Sequence, residues 1–473
     1  MPEHPLEHIL HPRSVAIVGA SRNSSNRGHL FLKDYLAAGF KGRIYPVNPR
    51  EEEVLGLRCY PNLLDIPGPV DYVISAVAAP LALQLTRDCV AKDVKCLHLF
   101  TARLRETGLA DRVEMEEEIV RTARAGGMRI IGPNCMGIYY PREGMSFRAE
   151  FPREPGNVAF FSQSGGNTAE LAHKGMGRGL RFSKIVSYGN ACDLNEADFL
   201  DYFAQDPETA VITGYVEGVH DGARFFAALR EAARHKPVVI LKGGRGIAGS
   251  RAAMSHTASL AGNMAVWDTV FRQSGALRAR SMEDLADIAL AFQWLPQLGA
   301  NRLAVLGGGG GSSVQAADLI EEAGLVIPPL PPEIREVLRE KAPDVWSLIS
   351  NPVDSSTMGG DETFRLTCRL LANHPTVDWL FGNAGAEWAL ETESGVDSYL
   401  NGIREHIRLS QECSKPLIIS SGATDNHEDW KRNAMLEGQR ICADARVPYY
   451  PSLERAASTL SSVISYYARR STL

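Results

Sequence analysis

SVAIVGAS, residues 14–21, joins an apolar run of strand-forming residues to a glycine turn. RNSSNRGH follows the turn, and a helical pattern then covers residues 30–38. A glycine turn between a strand and a helix presents free backbone N–H groups and the positive helix end to an anion. The stretch therefore predicts a phosphate-binding strand–turn–helix unit, with a plain β–α turn that holds no ligand as the alternative.

The same alternation of apolar runs and amphipathic stretches continues along the whole chain. Helical patterns cover, for example, residues 112–125 and 221–234. The apolar runs that predict strands are residues 14–18, 72–77, 96–100, 158–161, 211–215, 238–241, 303–306, 378–381 and 417–420. Strands that alternate with helices are typical of parallel sheets covered by helices on both faces. We therefore predict an α/β protein built from doubly wound domains.

Two breaks in composition predict where the domains meet. Residues 141–156 are polar and contain three prolines. Residues 294–301, WLPQLGAN, separate a helical pattern from the start of a new strand. The predicted domains are residues 1–142, 155–297 and 300–473, each close to the usual domain size.

Composition excludes several classes of protein. The 473 residues are 44% hydrophobic and 22% charged, and the formal net charge of −6 predicts no basic surface for nucleic acid or an anionic membrane. The most apolar charge-free stretch, residues 72–86, falls short of the roughly 20 residues that a spanning helix needs. The eight cysteines form no CxxC pair, which predicts reduced thiols and no metal site. The first segment lacks an apolar signal core, which predicts a cytoplasmic location.

The first glycine turn departs from the dinucleotide-binding pattern GxGxxG. Gly19 stands alone at the turn, the next glycine is Gly28, and no acidic residue directly follows the second strand end at YPVNP. Both departures disfavour NAD, because that pattern uses closely spaced glycines and an acidic residue for the ribose. Arg22, Lys41 and Arg50 are close in sequence and are candidates to hold phosphate groups.

A second turn of this kind follows the run at residues 157–161. SQSGGN, residues 162–167, leads into a helical pattern and supplies hydroxyl and N–H donors that leave room for a phosphoryl or carboxyl group. Serine and glycine are also favoured at helix starts, so a capped helix without ligand is the alternative.

One histidine lies in a segment rich in glycine and small residues. His256 stands in SHTASLAG, residues 255–262, shortly after four glycines within residues 243–249. An imidazole nitrogen is a nucleophile toward phosphorus, and an accessible loop suits that role. Glu217 follows the predicted strand at residues 211–215, where a carboxylate faces the ligand crevice of an open α/β sheet and can orient an imidazole. One helix, one strand and a loop fit between the two residues, so their side chains can meet.

Nine motifs, in this order along the chain, resemble those of the nucleotide-diphosphate-forming acyl-CoA synthetases, the superfamily of succinyl-CoA synthetase and ADP-forming acetate–CoA ligase. They are SVAIVGAS, YPVNP, VAAP at 77–80, GPNCMG at 132–137, FSQSGG, YVEG at 215–218, SHTASLAG, NPVD at 351–354 and VPYYPSLERA. The chain is similar to the alpha-type portion of these enzymes. That resemblance implies a Rossmann-like CoA-binding domain followed by two flavodoxin-like domains of the succinyl-CoA synthetase type.

The resemblance also implies roles for individual residues. His256 would be phosphorylated during turnover, with Glu217 as its carboxylate partner. The other residues near the reacting groups would be Asn134, beside the thioester, and Ser164, Gly165 and Gly166, at the helix start that holds the phosphohistidine or acyl phosphate. The residues of the CoA site, with Arg22 added as a phosphate candidate, would be Gly19, Ser21, Arg22, Asn48, Pro49, Val77 and Pro80.

Three further positions bear on the chemistry. Cys135, next to Asn134, is a candidate nucleophile, although a small buried cysteine is the more common case. Arg103 and Ala258 depart from the usual pattern of the family. These two departures leave the acyl specificity open.

The sequence lacks a GxxxxGK[ST] motif, and the three predicted domains leave no segment for an ATP-grasp domain. The resemblance therefore implies a separate ATP-grasp beta-type subunit that brings ATP or GTP with Mg²⁺, in an α2β2 hetero-oligomer. The expected reaction interconverts a carboxylic acid, CoA and NTP with acyl-CoA, NDP and phosphate, through an acyl phosphate and a phosphohistidine. A catalytically silent CoA-binding regulatory or scaffold protein is the alternative, and a nicotinamide dehydrogenase is a more distant one.

Overall fold

The computed structural model describes residues 4–246, 248–249, 263–357, 361–422 and 427–471. The chain divides into two compact units. The first unit comprises Met1–Met176 with Leu180–Leu285, and the second comprises Gly177–Gly179 with Ala286–Leu473.

The first unit begins with a five-stranded parallel sheet. In chain order its region contains strands β1 Ser14–Val18, β2 Arg43–Val47, β3 Glu53–Val54, β4 Leu57–Arg58, β5 Tyr72–Ser75, β6 Cys96–Leu99 and β7 Arg129–Ile131. The helices are α1 Glu7–Leu10, α2 Arg27–Ala38, α3 Ala79–Ala91 and α4 Ala110–Ala125. The sheet order is β2-β1-β5-β6-β7, and β3 and β4 form a separate two-stranded hairpin. The carboxyl ends of β1, β2 and β5 therefore lie side by side.

A second, six-stranded sheet follows in the same unit. Its strands are β8 Gly137–Tyr139, β9 Val158–Ser162, β10 Phe182–Ser187, β11 Val211–Val216, β12 Val238–Lys242 and β13 Leu277–Ala279, in the order β13-β12-β11-β9-β10-β8. The helices are α5 Gly165–Met176, α6 Glu196–Gln205, α7 Gly222–His235, α8 Met264–Ser274 and α9 Met282–Trp294, the last of which continues into the second unit. Strands β9 and β12 are buried along their whole length, which accounts for the apolar runs VAFF and VVIL within them.

The second unit is built on a four-stranded parallel sheet. Its strands are β14 Leu303–Leu306, β15 Trp379–Asn383, β16 Leu417–Ser420 and β17 Tyr449–Tyr450, in the order β14-β15-β16-β17. The helices are α10 Gly310–Glu322, α11 Pro332–Lys341, α12 Asp361–Asn373, α13 Ala386–Ala389, α14 Val396–Cys413, α15 Asp429–Asp444 and α16 Leu453–Ser471. A core of buried aliphatic side chains, including Leu306, Leu380 and Ile419, joins this sheet to its helices.

The predicted α/β class with parallel sheets is confirmed. Strand β8 differs from the predicted organisation, because it pairs antiparallel with β10 of the second sheet although it precedes residue 142. Burial of Ile138 and Tyr139 favours this pairing. Strand β10 was absent from the predicted runs because Lys184 interrupts its apolar sequence, and the structure buries that lysine against Asp206 and Glu208. Among the residues described, no helix combines the length and apolar character needed to cross a membrane.

Candidate active site

The first group of predicted site residues lies at the adjacent carboxyl ends of β1, β2 and β5. Gly19 has a φ of +95°, and a Cβ atom at this position would lie 2.6 Å from the carbonyl oxygen of Ala76. The side-chain amide of Asn48 donates to the carbonyl oxygen of Ala20 at 2.6 Å. The structure thus brings Gly19, Asn48 and the turn before Val77 into contact, and the first position accepts only glycine.

Ser21 and Arg22 are held by an acidic residue that sequence analysis did not single out. The Glu51 carboxylate accepts from the backbone N–H of Arg22 at 3.1 Å and from the Ser21 hydroxyl at 3.4 Å. The Arg22 side chain is exposed, and its Nε lies 3.2 Å from Glu51 Oε2. Glu51 lies only four residues after β2, so its place in the turn was the available signal.

The predicted anion site at the start of α2 is capped by a side chain. Asn26 Oδ1 accepts from the backbone N–H groups of Gly28 and His29 at 2.7 and 3.4 Å. The helix begins at Arg27, earlier than the predicted helical pattern, because this cap satisfies its first donors. Pro49 and Pro80 are also predicted for the CoA site, and both are exposed. They lie close in sequence to Asn48 and Val77, respectively.

The second group of site residues lies at the carboxyl edge of the six-stranded sheet. Ser164 precedes α5, and its hydroxyl accepts from the backbone N–H of Asn167 at 3.2 Å. Gly166 is exposed in the first helical turn. The first N–H groups of a helix have no acceptor inside the helix and carry a partial positive charge. The motif SQSGGN therefore forms both a capped helix and an open surface of backbone donors.

Gln163 connects this helix start to the turn that contains Glu217. The Gln163 side chain is buried, and its amide donates to the carbonyl oxygen of Gly218 at 3.0 Å. Its Oε1 accepts from the backbone N–H groups of both Glu217 and Gly218. One carboxamide thus holds the Glu217 turn beside the predicted phosphate-binding turn. Gln163 belongs to the motif FSQSGG but was not predicted as a site residue. Its place within a predicted phosphate-binding turn was the available signal.

Glu217 itself is buried, with 7% of its surface exposed, and both Tyr215 and Lys242 contact it. The Tyr215 hydroxyl donates to Glu217 Oε1 at 3.2 Å, and Lys242 Nζ donates to the Glu217 backbone carbonyl at 2.6 Å. Burial lowers the pKa of Lys242 to about 8, and the Glu217 carboxylate opposes that shift. Burial raises the pKa of Tyr215 well above its ordinary value, so this phenol stays a neutral donor. Sequence analysis did not identify Lys242, because a lysine that ends an apolar strand usually reaches solvent.

Asn134 lies in a loop that packs against this edge. Its φ is +59°, and its backbone N–H donates to the carbonyl oxygen of Thr101 at 3.0 Å. Met136, two residues later in the same loop, lies against the start of α5. A Cβ atom on Gly165 would be 2.8 Å from the Cγ atom of Met136. The structure therefore places the Asn134 loop, the helix start and the Glu217 turn at one edge of one sheet.

Cys135 and Arg103 also lie around this loop. Cys135 is buried, its Sγ is 3.6 Å from the carbonyl oxygen of Leu99, and burial raises its pKa far above the ordinary thiol value. A thiol in that environment is a poor nucleophile, which supports the structural interpretation. Arg103 is exposed with a φ of +69°, and its backbone N–H donates to Glu106 at 2.6 Å.

His256 and Ala258 lie outside the described residues, so the proposed meeting of His256 with Glu217 stays a prediction. Gly243, directly after β12, and Asn263, the residue before α8, flank residues 244–262, which include both positions. Gly243 is next to the Lys242–Glu217 contact. The arrangement combines backbone donors for an anion with a buried carboxylate, which suits the handling of a phosphoryl group.

Two family models match the chain. A CoA binding domain matches residues 13–141, and a succinyl-CoA ligase like flavodoxin domain matches residues 155–292. These ranges contain the first and second groups of site residues, respectively.

Curated relatives and a solved structure match most or nearly all of the chain. The alpha subunit of ADP-forming acetate–CoA ligase II from Pyrococcus furiosus is 39% identical over 79% of this chain and 81% of its own. The alpha subunit of ligase I from the same organism is 32% identical over 98% of this chain and 97% of its own. The solved dinucleotide forming acetyl-coenzyme A synthetase 1 of Ca. Korarchaeum cryptofilum, in complex with phosphate and ADP, has 33% identity and a TM-score of 0.83 and covers 99% of both chains.

Proposed function

We propose a reaction and a set of residue roles from the premise that this chain belongs to the family of NDP-forming acyl-CoA synthetases, as an alpha-type subunit. The activity of that family is acid–thiol ligation, in which a carboxylic acid and CoA form a thioester while NTP becomes NDP and phosphate. The observation that carries our proposal for the site is the Gln163 carboxamide, which joins the phosphate-binding turn to the Glu217 turn.

The proposed sequence of steps passes phosphorus through His256. The imidazole attacks the terminal phosphorus of NTP and releases NDP, and the phosphoryl group then moves to the carboxylate substrate as an acyl phosphate. The CoA thiol attacks the acyl carbon and displaces phosphate. The amino-terminal turn of α5 would hold the phosphoryl oxygens, and the Glu217 carboxylate would accept the other imidazole N–H and stabilise the positive charge that develops.

CoA would bind at the edge formed by β1, β2 and β5, within residues matched by the CoA binding domain. Because Gly19 carries no side chain, its turn lies against the Ala76 carbonyl at the strand ends where CoA would bind. Arg22 would exchange Glu51 for a phosphate of CoA. The thiol would reach the loop at Asn134, where the thioester forms.

A separate subunit completes the enzyme in this proposal. Relatives of this chain are named as alpha subunits, which supports a separate partner subunit. We propose that the partner contributes an ATP-grasp domain with the nucleotide and Mg²⁺, in an α2β2 assembly in the cytoplasm. The solved neighbour in complex with phosphate and ADP supports the use of adenine nucleotide.

The experiment is phosphoryl transfer in the complex co-expressed with the partner subunit. ATP labelled on its terminal phosphate should label this chain with phosphorus that resists alkali and is lost in acid. His256→Asn should abolish that label and thioester formation, and Glu217→Gln should lower the rate on the order of 10²-fold or more. His235→Asn, at the exposed end of α7, is the matched control and should behave as the unsubstituted protein.

Two results would contradict this proposal. Retention of the label in His256→Asn would remove that residue from the reaction. Absence of thioester with short, branched, aromatic and dicarboxylic acids, while CoA still binds, would favour the regulatory alternative.

A further inference from the structure

Lys242 is a fully buried lysine that the proposed steps do not use. It ends β12, its side chain has no exposed surface, and its Nζ donates to the backbone carbonyls of Glu217 and Gly243. An ammonium group is costly to bury unless it is paired and hydrogen-bonded. The two carbonyl oxygens belong to the ends of adjacent strands, so the same ammonium group joins β11 to β12 beyond their last paired residues, Val216 and Lys242.

The third contact of the ammonium group comes from α8. Lys242 Nζ lies 5.4 Å from the centre of the Trp267 ring, within the range of a cation–π interaction. Trp267 is itself buried and packs against Phe225 and Phe271. Gly243 directly precedes residues 244–262, which contain His256, and Trp267 follows that segment closely. Lys242 therefore contacts the chain on both sides of the segment.

We propose that Lys242 is a positioning residue for phosphoryl transfer, one that holds the Glu217 turn and both flanks of the 244–262 segment in fixed relation. This inference rests on the proposed function of Glu217 and His256 and adds a residue to it. The Gln163 side chain holds the Glu217 backbone N–H, Lys242 holds the Glu217 backbone carbonyl, and Tyr215 holds its carboxylate. The backbone N–H, the backbone carbonyl and the carboxylate of Glu217 are therefore each bonded by a side chain from the end of a different strand.

The charge of Lys242 matters beyond its hydrogen bonds. The Glu217 carboxylate and the Trp267 ring interact with this charge, and the neutral Tyr215 phenol bonds to that carboxylate. Above pH 8, Lys242 would lose its proton but keep two N–H donors for the carbonyls of Glu217 and Gly243. The amine would no longer carry the charge that attracts the Glu217 carboxylate and the Trp267 ring. We therefore expect phosphoryl transfer to fall as the pH rises through about 8.

Lys236 provides a matched control at the opposite end of the same strand region. Its Nζ also donates to two backbone carbonyls, those of Phe203 and Asp206, at 2.7 and 2.6 Å. Burial lowers its pKa to about 8 as well. It precedes β12, whereas Lys242 ends that strand at the edge where Glu217 lies. A merely structural role for lysines that bridge backbone carbonyls predicts equal effects at the two positions.

The experiment compares Lys242→Met, Lys242→Arg and Lys236→Met in the assembled complex. Lys242→Met should lower the rate of phosphoryl labelling about 10–100-fold, as loss of an outer contact to a reacting group typically does, with CoA affinity unchanged. Lys242→Arg should restore part of the rate and move the high-pH decline upward, since guanidinium stays protonated. Lys236→Met should leave the rate within about threefold, because its described hydrogen bonds go to Phe203 and Asp206, away from the Glu217 turn.

Equal rates for Lys242→Met and the unsubstituted complex, or equal losses in the two methionine variants, would overturn the positioning role of Lys242. If Lys242→Met fails to fold, the pH profiles of the unsubstituted complex and Lys242→Arg test the same role, and coincident profiles would overturn it. Failure of the proposed function is distinguishable, because the unsubstituted complex would then carry no label at all.

Discussion

Replacement of Gln163 by methionine tests whether one carboxamide organises the site. Methionine is unbranched and similar in length, so it fills the same space without hydrogen-bonding groups. The change leaves three backbone groups without their partner, the N–H of Glu217 and the N–H and carbonyl of Gly218. At about 1 kcal/mol for each hydrogen bond, the free energy of unfolding of the first unit should fall by about 3 kcal/mol.

The same substitution should affect the reaction more than it affects CoA binding. The Glu217 turn loses its link to the α5 start, whereas the turns at Gly19 and Asn48 belong to the other sheet of the unit. We expect the rate of phosphoryl labelling to fall at least tenfold, with the dissociation constant of CoA changed by less than about threefold.

Denaturant unfolding, isothermal titration with CoA and labelling by ATP in the complex measure these three quantities. Gln84→Met is the control, because Gln84 is exposed on α3 and, among the described residues, its side chain bonds only to Asp88 on the same helix. Its effect on unfolding should stay within about 0.5 kcal/mol. A Gln163→Met protein as stable and as fast as the unsubstituted one would refute the role assigned to the carboxamide.

Three further substitutions give distinct expectations. Gly19→Ala should weaken CoA binding at least tenfold, because the methyl group would lie 2.6 Å from the Ala76 carbonyl oxygen. Gly39 also has a positive φ, +76°, but has open space around it, so Gly39→Ala should cost only about 1 kcal/mol of stability. Calorimetry measures the CoA affinity of both variants and thermal unfolding their stability, and equal CoA affinities would contradict the crowding argument. Cys135→Ser should keep phosphoryl labelling and thioester formation within about threefold, because the thiol is buried and its pKa is raised, and loss of thioester formation in a folded variant would show that the sulfur reacts. Glu196 is almost fully buried, and burial raises its pKa from 4.5 to about 7. The folded state therefore binds this proton more tightly than the unfolded state does. The stability that the proton contributes is lost as the pH rises from 4.5 through 7. The free energy of unfolding of Glu196→Gln relative to the unsubstituted protein should therefore increase by about 3 kcal/mol between pH 4.5 and 8, and a difference independent of pH would contradict this assignment.

Sequence patterns predicted the strands of the sheets well where apolar residues run without interruption. Strands Ser14–Val18, Leu303–Leu306 and Leu417–Ser420 have the predicted bounds, because both faces of these parallel strands are buried and every position favours apolar residues. Prediction was weaker at β10, where Lys184 is buried in ion pairs, and at β8, whose pairing joins residues distant in sequence. Neither feature leaves a local pattern.

The residues of the candidate site also fall into those with a local sequence signal and those without one. Glycine turns, a serine at a helix start and a glutamate after a strand are local signals, so the sequence could predict Gly19, Ser164 and Glu217 as site residues. The contacts of Gln163 and Lys242 with the Glu217 turn were not, because these residues are 54 and 25 positions away from it and meet it only at the shared edge of a parallel sheet. Backbone conformation is encoded nearby in the chain, whereas the partner of a buried polar group depends on which strands lie side by side.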